Sequence, residues 1–153
     1  MDETGRVVYK GRNERIATQA IVSALTDMEA PRNLKQWQRF LDYEMEALPG
    51  RAFLRLEEFR KKFPAEAKAY AEAGKALEKI PDIKKLVELV KFAKQAKDMR
   101  AFTAKQKDKK QKFAKMLEGA ISKYAPLKDS EDPRVAQEAK NAIADLQWTQ
   151  ASL

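Results

Sequence analysis

The sequence predicts an all-α, single-domain bundle of six or seven helices. Its 153 residues are close to the commonest length of one domain, and its 44% hydrophobic content is too high for a disordered chain. Only five glycines and six prolines are present, which is too few for a sheet protein with many turns. Apolar residues recur at steps of three and four, and no segment shows sustained period-two alternation, so we predict no strands.

The first two predicted helices each follow an asparagine cap. Asn13 is the predicted N-cap of the first helix, which Pro31 ends. Its apolar stripe comprises Ile16, Ala17, Ala20, Ile21, Ala24, Leu25 and Met28. Asn33 and Gln36 have the spacing of a capping box that opens the second helix, and Pro49-Gly50 is predicted to stop it. The apolar face of this second helix comprises Leu34, Trp37, Phe40, Leu41, Met45 and Leu48.

Two shorter helices are predicted next. The inward side chains of the first of them are Phe53, Leu56, Phe59 and Phe63. Pro64 suits a first helical position, because its missing N–H is not needed there, and it begins an alanine-rich helix through Tyr70 and Leu77.

The segment from Asp82 to Tyr124 is predicted to form two helices. Pro81 suits a first helical turn, and Asp82 lies near the positive end of the helix dipole. Two apolar stripes follow, the first of Ile83, Leu86, Leu89, Val90, Ala93 and Ala96, the second of Phe113, Met116, Leu117, Ala120, Ile121 and Tyr124. Residues 103–112 have no apolar face, so we predict a break near 103–108 rather than one long helix.

Asp132 and Pro133 are the predicted N-cap and first residue of a last helix. The apolar side of that helix comprises Val135, Ala139, Ala142, Ile143 and Leu146. We predict that residues 1–128 form the bundle, with a basic face at 81–115, and that the acidic helix of 129–153 packs on the same domain.

Positive charge is concentrated in one part of the chain. The whole protein has 31 Lys and Arg against 23 Asp and Glu, which gives a net charge of +8. Residues 81–128 alone carry 14 basic and 5 acidic side chains, whereas residues 129–153 carry 2 and 5. A localised positive field attracts polyanions, so nucleic acid is a predicted partner. The alternative interpretation is a lysine-rich surface that only keeps the helices solvated.

The composition excludes many kinds of catalytic site. The chain has no Cys and no His, so zinc fingers, iron–sulfur clusters, Ser-His-Asp triads and Cys–His nucleophiles are excluded. Three acidic sets remain: Asp42, Glu44 and Glu46; Glu57 and Glu58; and Glu131 and Asp132. Neighbours one or two residues apart on a helix point about 100° or 200° apart, so these sets do not converge unaided. We interpret them as surface carboxylates, and we expect no catalytic residue, no metal, no cofactor and no enzyme activity.

The predicted nucleic-acid-binding surface is a track of cations. Lys84, Lys91 and Lys94 fall within about 80° on one side of their helix, opposite its apolar stripe. The full predicted set is Arg55, Arg60, Lys61, Lys84, Lys91, Lys94, Lys105, Lys107, Lys109 and Lys112. Because lysine is a point charge without a bidentate fork, we expect such a track to contact phosphates rather than base edges.

Three apolar side chains fall outside the buried arc of the same helix. They are Phe92, Met99 and Phe102. The sequence leaves three interpretations open: packing against an adjacent helix, stacking on unpaired bases, or contact with a neighbouring subunit or partner.

Three segments carry a family resemblance. They are the run Asn-Leu-Lys-Gln-Trp-Gln-Arg-Phe at 33–40, the run Ala-Tyr-Ala-Glu-Ala-Gly-Lys at 69–75, and the helix of 113–124 with its aromatic, acidic and alanine positions. Together they span 33–124 and resemble the small helical subunit of type III-A CRISPR effector complexes; the acidic last helix departs from that pattern. The resemblance implies a non-catalytic bundle that stacks in several copies along a guide–target duplex and holds its backbone.

Two hypotheses therefore remain. The leading one is a binder of RNA or single-stranded nucleic acid within a larger complex, with further copies of itself as partners. The alternative is a helical protein-interaction module, such as a phage or plasmid inhibitor or adaptor. The longest uncharged run, 16–26, is too short to cross a bilayer, the N-terminus lacks the pattern of a secretory signal, and the apolar faces are needed inside the bundle. We therefore expect a cytoplasmic protein without a membrane partner.

Overall fold

The computed structural model describes residues 21–22, 31–103 and 105–153. Every regular element in these ranges is helical, which confirms the all-α bundle. Most of the first predicted helix, including Asn13, lies outside the described residues. Of its apolar stripe only Ile21 is described, and it is 60% exposed; Val22 is buried instead, against Ala47 and Leu48.

Helices α1 (Leu34–Ala47) and α2 (Pro49–Lys62) follow each other almost directly. The Asn33 side chain accepts from the Gln36 N–H at 3.0 Å, as the capping box predicts. The Gln36 side chain reaches back to the Arg32 N–H at 2.7 Å, one residue earlier than the motif requires. Helix α1 ends at Ala47, directly before Pro49-Gly50, so the predicted stop is confirmed. Pro49 and Gly50 themselves begin α2, where proline at the first position loses no hydrogen bond.

The alanine-rich region is divided into three pieces: α3 (Pro64–Ala67), a 3-10 turn (Lys68–Tyr70) and α4 (Ala71–Glu78). The predicted single helix is therefore interrupted. At the interruption, the Tyr70 ring packs edge-on against Phe59 at 5.4 Å and its hydroxyl donates to Asp42 at 3.2 Å. Burial and the neighbouring Asp42 carboxylate raise the pKa of Tyr70 to about 12, so the phenol remains a hydrogen-bond donor.

Helices α5 (Ile83–Thr103) and α6 (Lys107–Tyr124) confirm the predicted break, since α5 ends at Thr103. The start of α5 was predicted two residues too early. Asp82 has φ 62°, a left-handed conformation that a continuing helix does not contain, so Pro81 stays in the preceding turn. The Asp82 carbonyl accepts the helical hydrogen bond from Leu86 at 3.0 Å.

A 3-10 turn (Ala125–Asp129) leads to the last helix, α7 (Pro133–Ala151). The predicted cap is confirmed, since the Asp132 side chain accepts from the Arg134 N–H at 2.8 Å. Although burial opposes it, the hydrogen bonds and charge of Arg134 hold the pKa of Asp132 below its usual value. All five apolar residues predicted for this helix are buried.

Two apolar cores organise the described residues. The first core lies among α1–α4 and comprises Trp37, Leu41, Ala52, Leu56, Phe59, Ala67 and Leu77. The second core lies among α5–α7 and is centred on Leu86, Leu89, Leu117, Val135, Ala139 and Leu146, all fully buried. Phe53 of α2 packs against both cores. Helix α2 therefore connects the two halves of the described bundle, in contact with α5 and α7.

Candidate nucleic-acid interface

Lys84 and Lys91 lie on the outer side of α5. Both are exposed, and they point away from Leu86 and Leu89 of the second core. Helix α7 covers another side of α5, where Asp145 pairs with Lys97 at 3.3 Å. Glu88 lies only about 40° around α5 from Lys84 and accepts from the Tyr124 hydroxyl of α6 at 3.2 Å, so α6 borders the arc of Lys84 and Lys91. The arc that carries Lys84 and Lys91 is left open to solvent.

Lys94 lies at the border of this outer surface. It is exposed and about 80° around α5 from Lys84. It also lines a cleft of about 800 Å³ among α1, α2, α5 and α7, as Glu58 and Lys62 do. Lys94 therefore faces both the outer surface and the cleft.

The cations of α6 do not form one continuous ridge. Lys105 lies in the turn before α6, and Lys107, Lys109 and Lys112 follow on the helix, all exposed. Lys109 and Lys112 are within about 60° of each other, whereas Lys107 is about 160° away from Lys109. Lys107 therefore points to a different side of α6.

One further lysine was missed in the sequence. Lys123 is exposed and lies only about 20° around α6 from Lys112, eleven residues away. Its Nζ lies 5.2 Å from the centre of the Tyr124 ring. The eleven-residue spacing, three helical turns, is the signal that could have identified it. We call Lys84, Lys91, Lys109, Lys112 and Lys123 the lysine face.

The lysine face points away from α7 on both helices. Lys84 lies about 140° around α5 from Lys97, the residue that pairs with Asp145 of α7. Lys112 lies about 160° around α6 from Lys110, which donates to the Leu153 carbonyl just after α7 at 3.2 Å. On each helix, these lysines therefore point away from the contact that the helix makes with α7 or with the residue that follows it.

The cations predicted from α2 are placed differently. The Arg55 guanidinium is ion-paired with the buried Glu44 and lies over the rings of Trp37 and Phe40 at 5.8 and 5.5 Å. Arg55 therefore has a structural partner and does not join the lysine face. Arg60 is exposed but lies against α4, where a Cβ on Gly74 would collide with its guanidinium. Lys61 is exposed near the end of α2.

The exposed candidates have their charges available. Arg55 aside, none of the ten predicted cations is within ion-pair distance of a carboxylate in the described part of the chain. The nine are Arg60, Lys61, Lys84, Lys91, Lys94, Lys105, Lys107, Lys109 and Lys112. Their positive field is therefore not neutralised by a direct partner among those residues.

The three apolar candidates also differ from one another. Phe92 is partly buried and packs against the second core, which supports the packing interpretation for this residue. Met99 is 43% exposed, and Phe102 is 81% exposed. Phe102 follows Lys84 by eighteen residues, five complete turns, so it lies on the same line along α5.

A group of buried charges that the sequence did not predict lies where α1, α2 and α7 meet. We call Glu44, Arg51, Arg55 and Glu138 the ionic junction. Glu44 is 1% exposed at its side chain and pairs with Arg55 and with Arg51, the latter at 3.2 Å. Its interpretation as a surface carboxylate was wrong. The missed signal is its position in the apolar stripe of α1, three residues after Leu41.

Glu138 binds the first turn of α2. Its two carboxylate oxygens accept from the N–H groups of Gly50 at 2.8 Å and Arg51 at 3.0 Å. The close approach needs glycine, because a Cβ at Gly50 would lie 2.9 Å from Leu86 Cγ and 3.1 Å from the carboxylate. Burial raises the pKa of Glu138 to about 7, although both amide hydrogen bonds and the charge of Arg51 oppose it.

Within 21–22, 31–103 and 105–153, no three acidic side chains converge as a metal site would need. In the same ranges, none of the helices combines the length and the apolar character that a transmembrane segment requires.

Comparison with known proteins gives no relative. No protein-family model, curated protein or solved structure matches this chain.

Proposed function

We propose that this protein is a non-catalytic subunit that binds the sugar–phosphate backbone of nucleic acid. The observation that carries the proposal is the lysine face, whose exposed ammonium groups have no carboxylate partner in the described part of the chain. It lies within the block of residues 81–128, where basic side chains outnumber acidic ones by nine. Unpaired surface cations in such a block attract phosphates and release counterions on binding.

The type of cation indicates how the ligand is held. The lysine face contains no arginine, and a lysine ammonium contacts a phosphate without the paired geometry that identifies a base edge. Binding through it is therefore independent of base sequence. Within a larger assembly, other subunits or base pairing would supply specificity.

The family resemblance supports a finer version of the proposal. Its segments at 33–40, 69–75 and 113–124 are similar to those of the small subunit of type III-A CRISPR effector complexes. In that version, several copies of the chain line up along a nucleic acid in an RNA-guided complex, each contributing one lysine face.

A quadruple substitution tests the coarser proposal. Lys84, Lys91, Lys109 and Lys112 are changed together to Gln, and binding to a fluorescein-labelled RNA of 20 nucleotides is measured by anisotropy between 50 and 300 mM salt. Each phosphate contact contributes about 0.7 to the slope of log affinity against log salt for a single strand, so we expect the slope to fall by up to about 3.

A matched variant controls for net charge. Lys35, Lys68, Lys75 and Lys79 are exposed lysines outside the lysine face, and changing them to Gln removes the same four charges. This variant should keep most of the affinity and the slope. Equal losses in both variants would show that only net charge matters, and absence of RNA binding by the unmodified protein at 50 mM salt would refute the proposal.

A further inference from the structure

Phe102 is the most exposed large apolar side chain in the described part of the chain. Its ring is 81% exposed, close to the end of α5. An exposed phenylalanine adds little hydrophobic free energy to folding, so we consider a functional role for it.

The surroundings of Phe102 are polar and carry charges of both signs. It lies on the line along α5 that carries Lys84 and Lys91, and Lys105 follows it in the turn to α6. One and two turns back on the same line are Asp98 and Gln95, both exposed. Met99 is the nearest exposed apolar side chain on α5, about 60° around the helix.

This environment favours a nucleobase over an apolar protein surface. Protein contacts of useful strength need a contiguous apolar patch of several side chains, whereas Phe102 has Met99 as its one exposed large apolar neighbour on α5. A base needs only one aromatic face to stack on, with cations nearby for its phosphates. Phe102 and the lysine face supply these two features on one side of α5.

We infer that the ring of Phe102 is a stacking platform for an unpaired base, so that the lysine face binds single-stranded nucleic acid through both phosphate and base. The inference rests on the proposed function and names its ligand class. The bases of a duplex are already stacked on each other, so they cannot use the platform without being unpaired. Stacking on an aromatic ring is tolerant of sequence, which agrees with a lysine face that does not read base edges.

The experiment separates base contacts from phosphate contacts. Three fluorescein-labelled probes are compared by anisotropy: a 12-nucleotide oligo(dT), an abasic oligonucleotide with the same number of phosphates, and a 12-base-pair duplex. We expect the unmodified protein to bind oligo(dT) about 5- to 150-fold more tightly than the abasic probe, the range that one stacked base contributes.

Substitutions then assign that preference to one ring. Phe102→Ala should remove the preference for oligo(dT) and leave abasic and duplex binding unchanged, while Phe102→Trp should keep it. Trp148→Ala is the matched control, because Trp148 is a 55% exposed aromatic on α7, outside the lysine face. We expect the melting temperature of Phe102→Ala to be unchanged, since the ring contributes little to either core.

The outcomes distinguish this inference from the proposed function. If Phe102→Ala binds oligo(dT) as tightly as the unmodified protein while the lysine variants lose binding, the stacking platform is refuted and backbone binding stands. If Phe102→Ala alters self-association by sedimentation but not oligonucleotide affinity, the ring is a protein contact and the inference is also refuted. If the unmodified protein binds none of the probes, both fail.

Discussion

The lysine face and the ionic junction both consist of charged side chains, in opposite situations. In the junction, Glu44 is buried and two arginines converge on it from α2. On the lysine face, exposed ammonium groups have no carboxylate partner in the described ranges. Buried ion pairs depend on each other, whereas exposed cations contribute little to stability. The comparison shows that net charge alone does not tell which cations are available to a ligand.

The largest expected effect comes from removing the carboxylate that joins α7 to α2. Glu138→Ala leaves the buried N–H groups of Gly50 and Arg51 without their acceptor, at about 1–3 kcal/mol for each unsatisfied group. We expect the free energy of unfolding, measured with urea, to fall by about 4 kcal/mol. Glu118→Ala, an exposed glutamate on α6, should change it by less than about 0.5 kcal/mol. Equal effects of the two variants would contradict the difference between buried and exposed charge.

The ionic junction, unlike the lysine face, should also make the stability of the protein depend on pH. The pKa of Glu138 is raised to about 7 in the folded state from an ordinary value of 4.5, so folding favours its protonated form. Its stabilising contribution is therefore complete below about pH 4.5 and is lost as the pH rises through 7. As the pH rises from below 4.5 to above 7, we expect the free energy of unfolding of the unmodified protein to fall by roughly 3 kcal/mol relative to that of Glu138→Gln, whose side chain cannot ionise.

The measurement is the difference in unfolding free energy between the unmodified protein and Glu138→Gln at pH 5, 6, 7 and 8. The subtraction removes the titration of Asp132, whose lowered pKa gives stability that is lost as the pH falls. Arg51 and Glu44 are the charged groups that face Glu138. A difference that grows in favour of the unmodified protein at high pH would show that Glu138 is stabilised in its ionised form.

The smallest of these effects compares one cation from each region. Arg55→Met removes one of the two arginines that pair with Glu44, and the remaining Arg51 compensates in part. We expect a loss of about 2 kcal/mol in unfolding free energy. Lys84→Met, on the lysine face, should change it by less than about 0.5 kcal/mol. A larger loss for Lys84→Met would show that this lysine has a structural role.

The helices could be predicted from the sequence wherever local signals agree. The start of α7 could be predicted because Asp132 has a capping side chain and Pro133 has a fixed φ. The end of α5 could be predicted because the stretch that begins at Thr103 has no apolar face. Pro49 ends α1 as predicted and also begins α2, whereas Pro81 was placed in a helix that begins only at Ile83. Proline suits a first helical turn and also ends a helix, and only the tertiary structure decides between the two.

The candidate surface could be predicted only in part. Exposure of Lys84 and Lys91 follows from the period of the apolar stripe, a local property. The ion pair between Arg55 and Glu44 could not be predicted in this way, because Glu44 is a polar residue in an apolar stripe of another helix. Contacts between segments that are distant in sequence decide which cations form buried ion pairs, and these contacts cannot be inferred from composition.

The contact between Glu138 and α2 has a consequence for the order in which the protein assembles. Gly50 and Glu138 are 88 residues apart along the chain, so the first turn of α2 has no acceptor from α7 until Glu138 has left the ribosome. Such long-range closure slows folding compared with contacts between neighbouring helices. A nascent chain that ends before Pro133 would hold α1–α4 with hydrated amides at the start of α2, and docking of the last helix would complete the native state.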